Sequence, residues 1–133
     1  MVAALKKSQA EVVFHLAGYI GYKKSEREKM ELINVKGTEN VIGAMKGCKV
    51  SKLIHISSVV AIGAGYRPSE ILDESSKYNL GPLSLGYFET KRKAEEAVLL
   101  ATQRGDIQSV ILNPSTIYGP ADAKKGSRKT QLK

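Results

Sequence analysis

Lys52-Leu-Ile-His-Ile-Ser57 is a short apolar run rich in β-branched residues. Two more runs of the same kind follow the same pattern, Glu11-Val-Val-Phe-His-Leu16 and Ile107-Gln-Ser-Val-Ile-Leu112. Each has the length and composition of a buried strand. The segments between them have helical period. Residues 2–8 read as the end of a helix. Ser25 is a good N-cap, and Glu28 at N3 completes a capping box. That helix runs to about Lys46, with Gly47 as its stop. Its apolar face is Met30, Ile33, Gly37, Val41, Ala44 and Met45. Ser84 caps the next helix, which ends at Arg104 with Gly105 as its stop. Residues 59–83, with Gly63, Gly65, Pro68 and Gly81-Pro82, read as a long loop, a length that usually carries function. The order (α)βαβαβ predicts an α/β fold, part of a doubly wound parallel sheet of about three strands and three helices. Such a sheet is covered on both faces. Right-handed crossovers set its strands side by side.

A chain of 133 residues holds at most one domain. Hydrophobic residues are 42% and charged residues 26%, an ordinary globular balance. The apolar runs are too short to span a membrane, and the N-terminus lacks the apolar stretch of a secretory signal. A single cysteine, Cys48, excludes an internal disulfide and fits a reducing, cytoplasmic compartment. The net charge of +8 suggests nucleic acid at first sight. Half of it, however, is gathered in residues 121–133 (Lys124, Lys125, Arg128, Lys129 and Lys133 against Asp122), with no interleaved aromatics to stack on bases. The remaining body mixes its signs, so no nucleic-acid partner is expected.

Ligands in parallel α/β sheets bind beyond the carboxyl ends of the strands. Three polar motifs sit there: Leu16-Ala-Gly18, Ser57-Ser58 and Asn113-Pro-Ser-Thr-Ile-Tyr-Gly-Pro120. A fourth, Tyr87-Phe-Glu-Thr-Lys91, puts a phenol and an ammonium one helical turn apart on the same face. A cation about 4 Å from a phenol contributes roughly 4 kcal/mol at an effective dielectric of about 20. The spacing therefore predicts a Tyr87 pKa lowered by roughly two or three units from about 10. Asn34, on the apolar face of the first long helix, needs partners for its amide. His15 and His55 lie inside strands, with no Cys, Asp or Glu at ligand spacing, so they read as structural and no metal is expected. Glu89, Glu95 and Glu96 read as a solvated helix face. Gly37 reads as close packing of helix on sheet.

Together with Asn34-Val-Lys-Gly-Thr-Glu-Asn40, these motifs resemble the extended short-chain dehydrogenase/reductase family over residues 11–120. Its dihydroflavonol-reductase and nucleotide-sugar epimerase/dehydratase branches are the most similar. The resemblance implies a Rossmann fold and an NAD(P)-dependent enzyme acting on a small-molecule secondary alcohol or ketone. An epimerase or dehydratase with bound NAD is the alternative. Tyr87 then corresponds to the acid/base, and Lys91 to the lysine that lowers its pKa and holds the nicotinamide ribose. Ser58 corresponds to the residue that orients the reacting oxygen, with Ser57 ranked second and counted among the cofactor contacts. Leu16, Ala17, Gly18, Asn34 and Pro114 correspond to cofactor contacts, and Asn113 to a substrate contact. The long helices at 26–46 and 84–104 commonly form a homodimer in such relatives.

Two features of the family are missing from the sequence. No Gly-x-x-Gly-x-x-Gly run precedes Gly18, and the residue that reads the adenosine ribose is absent, so NAD is not distinguished from NADP. The expectation is a partial Rossmann domain at 1–120 lacking its first βαβ half and the C-terminal substrate domain, followed by a basic tail at 121–133. A non-catalytic fragment of such an enzyme is the remaining reading.

Overall fold

The computed structural model describes residues 1–117. The end of the loop after the third strand, at 118–120, and the basic tail at 121–133 lie outside the described residues. Three strands, β1 (Val12–His15), β2 (Lys52–Ile56) and β3 (Gln108–Leu112), form one parallel sheet in the order β1-β2-β3. The helices are α1 (Val2–Ser8), α2 (residues 27–48) and α3 (Gly86–Gln103).

The register sorts the sheet into two faces. Val13, Leu53 and Ser109 lie abreast, as do His15, His55 and Ile111. This face meets α2 and α3. Val41, Ile42 and Met45 from α2 and Val98 and Ala101 from α3 enclose Leu53 with Val50 and Ile107, and Leu5 of α1 packs against the same cluster. Each such side chain contributes about 1.5–3 kcal/mol when fully buried. The opposite face departs from the expected cover on both sides. Phe14, Val110 and Leu112 there are 63%, 54% and 48% exposed. All the packing just described falls on one side of the sheet, and among the described residues no helix covers the other.

The helix ends differ from the sequence reading. Ser25 lies inside a 3-10 turn, Lys24–Glu26, and does not cap α2. Glu26, not Glu28, turns back, its carboxylate accepting the amides of Tyr22 and Lys23 at 3.2 and 3.1 Å. The helix then runs through Arg27–Met30, a π-helical turn at Glu31–Lys36, and Gly37–Cys48. It passes Gly47 and ends where Lys49 turns left-handed, the Val50 amide donating to Met45 O at 3.1 Å. The π-turn changes which residues face inward. Asn34, Val35 and Thr38 are buried, whereas Ile33 and Gly37 are only half-buried. Gly37 is not a packing contact, since a Cβ there would meet nothing nearer than Leu32 O at 3.9 Å.

Ser84 is likewise not a cap. It adopts φ 49° and closes the 3-10 turn Gly81–Leu83, leaving Leu85 to begin α3. Gly105 ends α3 as expected, at φ 73°, with the Asp106 amide donating to Ala101 O at 3.0 Å. Across the seam between α2 and α3, Arg27 pairs with Glu89 and Lys93 with Glu31. Such exposed pairs stabilise by at most about 1 kcal/mol each.

Candidate active site

The carboxyl ends of β1 and β2 and the first turns of α3 converge on Lys91. This lysine is 6% exposed, and its Nζ donates to Ile56 O, the last carbonyl of β2, at 3.0 Å. Burial pulls its pKa below the usual ammonium value, and Glu95, one turn on, opposes that pull. The chain leaving β1 passes directly over it. A Cβ at Gly18 would stand 3.4 Å from Lys91 Nζ and 3.6 Å from Asn34 Oδ1. Leu16 and Ala17, just before, are exposed at the strand end.

Asn34, 2% exposed, fixes the loop that follows. Its Oδ1 accepts the Tyr19 amide at 2.7 Å, and its Nδ2 donates to Tyr19 O and Thr90 Oγ1, both at 3.0 Å. One side chain thus joins the β1 loop, α2 and α3. The partners that the sequence required for this amide are all internal. Below it Thr38 donates to Asn34 O, and His15 Nε2 meets Thr38 Oγ1 at 2.9 Å. His15 and His55 stack with ring centres 5.2 Å apart. His55 is 2% exposed, and neither ring nitrogen has a hydrogen-bond partner among the described residues. Burial, with the fields of His15 and Lys91, lowers its pKa to about 4. His15 is lowered as well, by burial first and then by the field of Lys91.

Tyr87 lies one turn before Lys91 at the start of α3. The expectation for its pKa is corrected. Burial raises it above the ordinary phenol value, the Ser58 hydroxyl pulls the other way by hydrogen bonding, and Lys91 is not among the causes. Lys91 Nζ is drawn to Ile56 O at the end of β2, and burial, not the lysine one turn away, sets the direction of the Tyr87 shift. Tyr87 is therefore a protonated phenol at neutral pH.

The two serines diverge. Ser58 caps a 3-10 turn, Val59–Ala61, its Oγ accepting the Val60 amide at 3.5 Å, and is the serine whose hydroxyl acts on the Tyr87 pKa. Ser57, expected among the cofactor contacts, is 4% exposed with its hydroxyl turned inward, donating to Glu95 Oε2 at 2.7 Å. Alternation at the end of an extended strand turns neighbours to opposite sides. Asn113, the expected substrate contact, donates through Nδ2 to Ser58 O at 3.1 Å and to Glu95 Oε2 at 2.9 Å, leaving only its Oδ1 for a ligand. Pro114 O accepts the Val59 amide at 3.2 Å.

Glu95 is the residue the sequence reading missed. Far from a solvated position, it is 8% exposed. The signal was its place in the stripe Thr90, Lys91, Ala94, Glu95, Val98, Ala101, all buried on one face of α3. Glu89 and Glu96 do lie at the periphery, paired with Arg27 and Arg92. No helix among the described residues is long and apolar enough to cross a membrane.

Residues 1–133 match the model of the 3-beta hydroxysteroid dehydrogenase/isomerase family. A sterol-4-alpha-carboxylate 3-dehydrogenase (decarboxylating) of Saccharomyces cerevisiae is 34% identical, the match covering 99% of this chain and 40% of that protein. A 2-alkyl-3-oxoalkanoate reductase of Shewanella oneidensis is 35% identical over 84% of this chain and 30% of its own. The solved structure of UDP-glucuronic acid 4-epimerase from Bacillus cereus in complex with NAD superposes with a TM-score of 0.74 at 30% identity, covering 90% of this chain and 36% of that one. The chain spans about a third to two fifths of the length of these relatives.

Proposed function

Because the chain belongs to the 3-beta hydroxysteroid dehydrogenase/isomerase family, we propose that the protein carrying it is an NAD(P)-dependent oxidoreductase of the extended short-chain dehydrogenase type, acting on a small-molecule secondary alcohol or ketone. What supports the reading is Lys91, held at the carboxyl end of β2 beside the bare backbone of Gly18, with Tyr87 one turn earlier on α3 and Ser58 just past the same strand end.

The residues present suit a nicotinamide cofactor. Ile56 O takes one of the three Lys91 ammonium protons, and the others suit a ribose diol. Gly18 offers backbone with no side chain in the way, and Leu16 and Ala17 lead into it, exposed at the end of β1; Pro114 stands across β2, its carbonyl joined to the Val59 amide. Asn34 holds this wall rigid through Tyr19. When bound, the cofactor supplies or accepts hydride.

The chain's own part is the proton. The Tyr87 hydroxyl carries it at neutral pH and donates to the oxygen of a ketone as that oxygen gains charge. Ser58 orients the same oxygen. Reduction is the direction this protonation state favours. The opposite direction requires the phenolate and should accelerate as pH rises.

The test is Tyr87→Phe in the full protein, with Tyr87's neighbours intact. A general acid of this kind contributes about 10²- to 10⁴-fold. A variant turning over cofactor at the wild-type rate would refute the assignment. Likeness to the Bacillus cereus epimerase solved with NAD favours one second reading. Tightly held NAD in the purified protein, with no net consumption on adding a ketone, would select the epimerase chemistry.

A further inference from the structure

We infer that Glu95 is a positioning residue that fixes Ser58 opposite Tyr87; this rests on the oxidoreductase reading above. Three successive residues at the end of β2 are each gripped from outside their own strand. Lys91 Nζ holds Ile56 O at 3.0 Å. Glu95 Oε2 holds the Ser57 hydroxyl at 2.7 Å. Asn113 Nδ2 holds Ser58 O at 3.1 Å, and that same amide is itself held by Glu95 Oε2 at 2.9 Å. One carboxylate oxygen therefore takes both a direct bond to Ser57 and a relayed one to Ser58. The backbone bonds Ser57 N to Leu112 O (2.8 Å) and Val59 N to Pro114 O (3.2 Å) close the same segment onto the end of β3.

The arrangement explains why a charge sits in the apolar stripe of α3. Tyr87, Lys91 and Glu95 are spaced one turn apart on a single rigid helix. The helix that delivers the phenol also sets, through Lys91 and Glu95, the height and rotation of the strand end that delivers Ser58. A serine two residues past a strand has no such fixity of its own. Glu95 touches neither the Ser58 hydroxyl nor the phenol, so its effect is transmitted through Ser57 and Asn113.

The experiment is a double-mutant cycle in the full protein, paired with amide exchange. Glu95→Leu keeps the volume and leaves the Ser57 hydroxyl and the Asn113 amide without their acceptor. We expect kcat to fall about tenfold to a hundredfold with KM for the cofactor unchanged, the size of two lost buried bonds. Glu95→Gln retains an acceptor oxygen and should restore most of kcat. In a Ser58→Ala background, Glu95→Leu should cost nothing further, because it acts through Ser58. The amides of Ser57 and Val59 should exchange at least about tenfold faster in Glu95→Leu, while those in the middle of α3 are unchanged. Should Glu95→Leu not fold, Asn113→Ala breaks the relay from the other end and should show the same dependence on Ser58. Equal losses with and without Ser58, or unaltered exchange at Ser57 and Val59, would overturn the inference. Full activity in Tyr87→Phe would instead sink the functional reading, whatever Glu95 does.

Discussion

His55→Leu should make the protein more resistant to acid without weakening it near neutrality. His55 is buried against His15, both its ring nitrogens lack partners among the described residues, and its pKa is lowered to about 4. In the unfolded chain the ring takes its proton at about 6.5. Between those two values the unfolded state holds more protons, so stability falls as pH drops. It is fully present above about pH 6.5 and reaches its lower plateau below about pH 4. At about 1.36 kcal/mol per unit, the window of roughly 2.5 units amounts to about 3 kcal/mol. His15, lowered in the same direction, adds to the slope. Leucine carries no proton, and near pH 7 its arrival breaks no hydrogen bond, so the change there should lie within about 1 kcal/mol. Urea unfolding followed by circular dichroism at about pH 7 and about pH 4.5 should then find the variant ahead by about 2–3 kcal/mol only at the lower value. The carboxylates whose pKa values lie low, Glu26 and Asp73, cancel in that difference because both proteins contain them. A difference between variant and wild type that is the same at both pH values would refute the buried, neutral state of His55.

Two further outcomes are expected. Gly63→Ala forces a side chain onto φ 143° with its Cβ 2.8 Å from Asn79 Oδ1, the atom that accepts the Ala64 amide. Strain of about 1–3 kcal/mol should appear as a lower urea midpoint and faster proteolysis within the loop from Val59 to Leu83. The 133-residue chain has no Gly-x-x-Gly-x-x-Gly run to present backbone amides to a pyrophosphate. Calorimetry should therefore find no micromolar binding of NAD or NADP to it, and micromolar binding would mean that the Lys91 cradle suffices alone.

The strands were legible because each is a dense β-branched run, and their order β1-β2-β3 follows from right-handed crossovers whose helices both lie on one face of the sheet. The helix starts were not. Ser25 and Ser84 have the side chains of caps, but a 3-10 turn claims each, and whether a serine caps depends on backbone angles no local pattern fixes. The Tyr87 spacing was read correctly as geometry and wrongly as electrostatics. Sequence places Lys91 one turn away, yet nothing in it reveals that Ile56 O, 35 residues upstream, holds the ammonium. Glu95 was misread because charge normally means solvent; its burial depends on Ser57 and Asn113 arriving from the ends of β2 and β3.

The π-turn at Glu31–Lys36 gives α2 one residue more than a regular helix of the same rise would hold. The surplus residue is absorbed inside the wide turn, so the helix keeps its phase on either side of it. Removing one residue here would let the stretch close as ordinary α-helix with Arg27 still beside Glu89 and Met30 still in the core. The loss would be local: the turn that presents the Asn34 amide to Tyr19 and Thr90 would be rewound, and the loop after β1 would be left without its tether.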